Sequence, residues 1–206
     1  ERDEEGINLL ALALLFAFAV SLLLAIPCLL APEWVVGTLQ QPVLKPYLWL
    51  LPLGVLLMSV YSALQFWVTR QKNFRLIART RITQSLGGAV AQLGFGWAGL
   101  APAGLIVGQM ISSGAGALGL GWRTLANSRE LLSKVSVTDM RRLFCAYDRF
   151  PKYSSLESFA NNAAIQVPVL IIAAAALGPE AGYLALAMRV MQAPMGLIGG
   201  AIGQVY

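Results

Sequence analysis

The groups in this sequence that could bind a ligand are few, and most are amides. Arg189 is the one charged residue set deep in an apolar stretch, about eight residues, or roughly 12 Å of helix, from the end of that stretch. Its guanidinium is a fork of donors that matches two oxygens of a phosphate or carboxylate. Gln192, Gly196, Gly199 and Gly203 follow it at helical spacing. Ser155, Ser158, Asn162 and Gln166 make a second polar stripe, one apolar stretch earlier. If the two stretches form a helical hairpin, the stripes could line a shared cavity. A charge at the depth of Arg189 costs several kcal/mol against lipid. Three placements avoid that cost: an anion contact in a central cavity, a carboxylate or carbonyl partner on another helix, or snorkelling to the interface.

Gln84 and Gln92 belong to a third stripe, in which Gln84, Gly88, Gln92 and Gly96 stand four apart. Gly104, Gly108, Ser112 and Gly116 repeat that spacing in the next apolar stretch. The small residues read as sites of close helix packing. For Gln84 and Gln92, interhelical hydrogen bonding and cavity lining both stand open.

Catalytic chemistry finds no support. Histidine is absent, which removes the commonest general base and metal ligand. The two cysteines, Cys28 and Cys145, cannot build a Cys-rich zinc site. They fall on opposite membrane faces and read as free thiols. No carboxylate pair sits within an apolar stretch, and the Gly94-x-Gly96 pair lies inside one, where it is a weak phosphate-loop signal. No enzyme, metal or cofactor is expected.

The elements that must position these groups follow from composition. Of 206 residues, 57% are hydrophobic and only 12% charged, with a mean hydropathy of +0.67. A soluble domain carries about twice that charge. A membrane-crossing helix needs about 20 apolar residues. Six stretches qualify, at about 9–30, 47–68, 82–97, 102–122, 156–177 and 181–202. Threaded back and forth, they place thirteen basic residues on one side: Arg2, Arg70, Lys72, Arg75, Arg79, Arg81, Arg123, Arg129, Lys134, Arg141, Arg142, Arg149 and Lys152. The other side holds Lys45 alone. This asymmetry puts the basic side, and both ends of the chain, in the cytoplasm. The net charge of +5 is therefore topological, and no nucleic-acid partner is expected. The fold class is an all-α integral membrane protein, a polytopic bundle of six transmembrane helices.

Residues 31–46, with Pro32, Pro42 and Pro46, read as an extended outer loop flanked by Trp34, Tyr47 and Trp49. Residues 178–180 read as a tight outer turn. The long connection 123–153 predicts an amphipathic helix capped by Thr138 and running to about Arg149, with Met140, Leu143, Phe144 and Tyr147 on one face. Such a helix would lie on the inner membrane surface. Ser154 and Glu157 have capping-box spacing and predict the next helix start. No basic leader or cleavage site opens the chain, so the first stretch is not read as a signal peptide. A start at Glu1 without Met leads us to expect an internal piece of a longer protein.

Three segments carry a resemblance: Tyr61–Arg81, Phe150–Ser155 and Gly182–Tyr206. Arg70, Phe74 and Ala78 match an Arg-x-x-x-Phe-x-x-x-Ala loop, and Tyr147, Phe150 and Pro151 match Tyr-x-x-Phe-Pro. Ala181–Tyr183, Ala187–Val190 and Pro194–Gly199 match the pattern of a later helix. In order and spacing the chain resembles bacterial polysaccharide-biosynthesis flippases, the O-antigen and capsule exporters of the multidrug/oligosaccharidyl-lipid/polysaccharide superfamily. The resemblance implies helices three to eight of a two-lobed protein with 12–14 helices. Residues 1–122 would belong to the N-terminal lobe, 123–153 would be the cytoplasmic inter-lobe connector, and 154–206 the first hairpin of the C-terminal lobe. It implies a lipid-diphosphate-linked oligosaccharide as substrate, flipped across the inner membrane by alternating access. Membrane lipid and a polysaccharide polymerase or export machinery are the implied partners, and Arg189 falls where a head-group contact is expected. The competing expectations are a cation-coupled multidrug antiporter of the same superfamily, a membrane polymerase or ligase of polysaccharide assembly, and a non-transporting scaffold.

Overall fold

Long apolar stretches with no water-facing side can satisfy their backbone only as helices, and that is what they form. The computed structural model describes residues 2–39, 42–99, 103–127, 129–132, 134–147 and 149–175, together with 182–184, 187–188 and 190–191. Among these residues there is no strand. The helices are α1 (Arg2–Leu30), α2 (Pro32–Leu39), α3 (Leu50–Arg70), α4 (Phe74–Trp97), α5 (Ala103–Asn127), α6 (Arg129–Leu132), α7 (Val137–Ala146) and α8 (Arg149–Ala175). A 3₁₀ turn, Pro42–Tyr47, joins α2 to α3. The chain divides into two units, Glu1–Ala146 and Tyr147–Tyr206.

Among the described residues three helices are long and apolar enough to cross a membrane: Asp3–Leu30, Leu50–Arg70 and Ala103–Ala126. They hold the first, second and fourth of the expected spans. The third and fifth expected spans fall in α4 and α8, which have the length but, among the described residues, not the apolarity. Both helices carry basic residues in the first turn, and Gln, Asn, Ser and Thr interrupt them farther along. Residues 181–202 lie mostly outside the described residues.

In the first unit α1, α3, α4 and α5 alternate in direction. Ser21 Oγ of α1 donates to the Pro52 carbonyl of α3 at 2.7 Å, near one end of both helices. Near the other end Ile7 and Leu10 of α1 meet Leu64, Trp67 and Val68 of α3, Leu76 and Ile77 of α4, and Leu120 of α5 in one buried cluster. The start of α1, the end of α3, the start of α4 and the end of α5 therefore share one end of the bundle. Arg70, Lys72, Arg75, Arg79 and Arg123 stand at that end. Most other large apolar side chains point outward. On α1 Leu23 is 69% exposed and Leu30 81%, an unstable surface in water and an ordinary one in lipid. The chain is a membrane protein.

The corner between α3 and α4 is a Schellman motif: Asn73 N–H donates to Val68 O at 3.2 Å and Lys72 N–H to Thr69 O at 2.9 Å. It forces Lys72 into the left-handed region, at φ 55. Asn73 Oδ1 then accepts from Leu76 N–H and caps α4.

Several local expectations are corrected. The span 31–46 is not an extended loop. Its prolines sit at the first turn of α2, where no N–H is needed, and in the 3₁₀ turn. Lys45 Nζ closes it onto Glu33 Oε1 at 3.1 Å. The connector helix starts at Val137 and ends at Ala146, not at Arg149. Arg149 instead opens α8, so Ser154 and Glu157 are interior to a helix that begins earlier. Pro151, in the first turn of α8, is compatible with that start. Cys28 is buried and Cys145 exposed, and both are free thiols.

Candidate functional site

The glycine stripes predicted from spacing are the contact between α4 and α5. An added Cβ at Gly108 would lie 2.6 Å from Gln92 Cγ and 3.2 Å from its backbone nitrogen. At Gly88 it would meet Ser112 Cβ at 2.9 Å, at Gly116 the Gln84 amide nitrogen at 2.9 Å, and at Gly104 it would strike Phe95 Cβ. The pairs descend one helix as they climb the other, so the two backbones run antiparallel at close range. Ser112 Oγ donates to the Gln84 carbonyl at 2.9 Å and adds an interhelical hydrogen bond. Gly96 is the exception: its Cβ would meet open space, and Phe95 makes the contact instead.

Gln84 and Gln92 thus part company. Gln92 packs its aliphatic stem onto Gly108. Gln84 lines a cleft of about 390 Å³ at the basic end of the pair, with Arg79, Thr80, Ile82, Thr83, Ala115, Gly119 and Arg123. Thr80 Oγ1 donates to Leu76 O at 2.9 Å and Thr83 Oγ1 to Arg79 O at 3.0 Å. Their protons are spent on the helix, so they offer lone pairs to the cleft. The donors it has left are the two guanidiniums and the Gln84 amide. Among the described residues no carboxylate lines it.

A second polar cleft, about 430 Å³, lies where α7 meets the start of α1. Four of its charges form two pairs. Lys134 Nζ stands 2.6 Å from Glu4 Oε1, and Arg142 Nη2 3.5 Å from Asp139 Oδ1. The Glu4 hydrogen bond, reinforced by its charge, raises the Lys134 pKa above the ordinary lysine range. Buried Asn8 donates through Nδ2 to Glu4 O at 2.8 Å and accepts the Ser136 N–H at Oδ1. Farther along, Leu143 is buried and Phe144 stacks on Phe16 with ring centroids 5.8 Å apart. Ser136 to Phe144 and Asn8 to Phe16 are equal steps, so α7 runs beside α1 for about 12 Å. The expected helix on the membrane surface is instead docked along a candidate span, because its apolar face finds α1.

Of the remaining predicted site residues, Asn162 lies on α8 and donates through Nδ2 to Ser158 O at 2.7 Å within its own helix. Gln166 follows on the same helix. Arg189 and Gln192 lie outside the described residues. Sequence reading passed over Arg79 and Arg123, since membrane topology explains each basic residue singly. A signal was present: no Asp or Glu occurs from residue 34 to residue 129, although Lys45, Arg70, Lys72, Arg75, Arg79, Arg81, Arg123 and Arg129 fall there. A cation in that stretch can be paired only from outside it, as Glu33 pairs with Lys45.

The sequence pattern of one family, described as polysaccharide biosynthesis protein, matches residues 4–206. No curated protein and no solved structure matches the chain.

Proposed function

The chain belongs to the polysaccharide biosynthesis protein family, and from that premise we propose that it moves a lipid-diphosphate-linked oligosaccharide across the bacterial inner membrane by alternating access. The observation that carries this reading is the family match over nearly the whole chain, joined to a bundle of membrane-length helices running in alternate directions. A sugar chain cannot cross hydrocarbon bare, because its hydroxyls would lose their hydrogen bonds. Rocking lobes with a polar cavity between them supply substitutes on each side in turn.

In this reading α4 and α8 complete their crossings against neighbouring helices, which tolerate their polar residues, and residues 181–202 add a sixth span. The basic end of the first unit faces the cytoplasm. Residues 123–153 connect two lobes, and Arg189 with Gln192, Asn162 and Gln166 contacts the substrate head group. No catalytic step is needed. A cation-coupled antiporter of the same superfamily fits less well, since it requires a carboxylate within its spans and residues 34–129 contain none.

Surface display tests the proposal. Cells lacking the full-length protein should lose surface polysaccharide and regain it with the wild-type gene. Arg189→Ala should fail to restore it at unchanged membrane abundance. Normal display with that variant removes Arg189 from the substrate site. Normal display without the protein overturns the function.

A further inference from the structure

The cleft between α4 and α5 has a feature that orientation in a membrane does not require: two cations from different helices turned into one concavity with no counter-charge among the described lining residues. Neither helix contains an Asp or Glu. Among the described residues neither Arg79 nor Arg123 forms an ion pair. The lining is amphipathic in a directed way. Arg79, Arg123 and the Gln84 amide supply donors, while the Thr80 and Thr83 oxygens supply acceptors. Ile82 lies in the cleft and is 60% exposed. From it Leu86, Val90 and Leu93 continue along one exposed face of α4 at steps of four, four and three. On α5 the exposed Trp122 adjoins Arg123, with exposed Leu118 one turn below. An aromatic beside a cation is the pattern of a helix at the head-group level.

We propose that this cleft binds the phosphodiester of an anionic phospholipid with a hydroxyl-bearing head group, its acyl chain laid along Ile82, Leu86 and Val90. The two guanidinium forks take the phosphate oxygens. The threonine oxygens accept from the head-group hydroxyls, which a choline head group lacks. A free phosphate would use the forks alone and leave the apolar stripe bare. The site is built wholly from α4 and α5, and it rests on the reading of these helices as spans with their basic end at the cytoplasmic leaflet.

The test uses purified, lipid-depleted full-length protein in detergent, with no oligosaccharide present, so its outcome is independent of flipping. Phosphatidylglycerol, phosphatidylcholine and inorganic phosphate are titrated in separate arms, read by native mass spectrometry and by the melting midpoint. Phosphatidylglycerol should bind and raise the midpoint, and the other two should not. R79A/R123A should weaken phosphatidylglycerol binding at least tenfold, whereas R75A should leave it within twofold. G119L fills the cleft and leaves both charges in place. An added Cβ at Gly119 meets Thr80 Cγ2 at 4.0 Å, an ordinary van der Waals contact. It should also lose the lipid while its lipid-free melting midpoint stays that of the wild type, which separates a blocked site from a misfolded one. Equal binding by R79A/R123A or by G119L overturns the proposal. So does equal binding of phosphatidylcholine. Saturation by inorganic phosphate with the same midpoint rise reduces the cleft to an ion site and overturns the lipid.

Discussion

Two helix contacts in the first unit are built by opposite means. Between α4 and α5 the backbones approach because one side of each contact is glycine or serine, and the charges beside them stay uncompensated. Between α1 and α7 the contact is a polar tether with a buried leucine and a ring stack, and Lys134 and Arg142 each have a carboxylate partner. The first contact leaves no room to slide. The second is made of interactions that can be broken one at a time and made again. A rigid pair carrying open cations suits the holding of a ligand, and a tethered helix suits a joint that moves.

The sharpest way to break this contrast is to fill the glycine contact. Gly108→Leu in the full-length protein should destabilise it by about 3 kcal/mol, because the added atoms meet the Gln92 backbone as well as its side chain. Gly96→Leu should be nearly neutral, since its Cβ points into open space. Melting midpoints in detergent check both. Equal effects would mean the stripe does not pack as described.

A smaller effect is expected at the tether. Leu143→Ala should cost about 2 kcal/mol of docking, the low end for a buried leucine on a partly exposed helix. Hydrogen exchange should then rise across α7 and stay unchanged in α4 and α5. Faster exchange throughout would show that α7 is part of the bundle rather than an attachment to it.

At the corner leading into α4 the expected sign reverses. Lys72 sits at φ 55, where glycine carries no steric penalty, so Lys72→Gly should stabilise by about 1 kcal/mol. A fall in melting midpoint would refute the Schellman corner.

The smallest effect belongs to Glu4→Gln. It should raise α7 exchange slightly at low salt and not at all in 1 M salt, as for an exposed ion pair. Because Lys134 has a raised pKa, the tether is complete below the ordinary lysine value and is lost as pH climbs through the raised one. Exchange of α7 in the wild type should therefore increase at strongly alkaline pH, and Glu4→Gln should not show that step.

Much of this was legible in the sequence because two patterns are overdetermined. The split of basic residues requires helices that alternate, and Ile7, Leu64, Leu76 and Leu120 do meet at one end. The four-residue spacing of Gly104, Gly108, Ser112 and Gly116 has a packing meaning whatever its partner, and the partner is the Gln84–Gln92 stripe. An amphipathic face says only that something apolar covers it. Leu143 and Phe144 were therefore visible as a face, while α1 was not visible as what covers it. Prolines at 32 and 42 misled by type, since a proline in a first turn does not break a helix. The Arg79–Arg123 cleft needed two residues far apart in sequence to be seen together, and no local pattern links them.

The measurement that bears most directly on function is flipping by the purified full-length protein. It is reconstituted in proteoliposomes whose lipid-linked oligosaccharide starts in one leaflet, and the fraction reaching the other is followed with time. Wild type should equilibrate the two leaflets, and Arg189→Ala should remain at the rate of protein-free vesicles. Wild-type protein that leaves the oligosaccharide where it began would contradict the account.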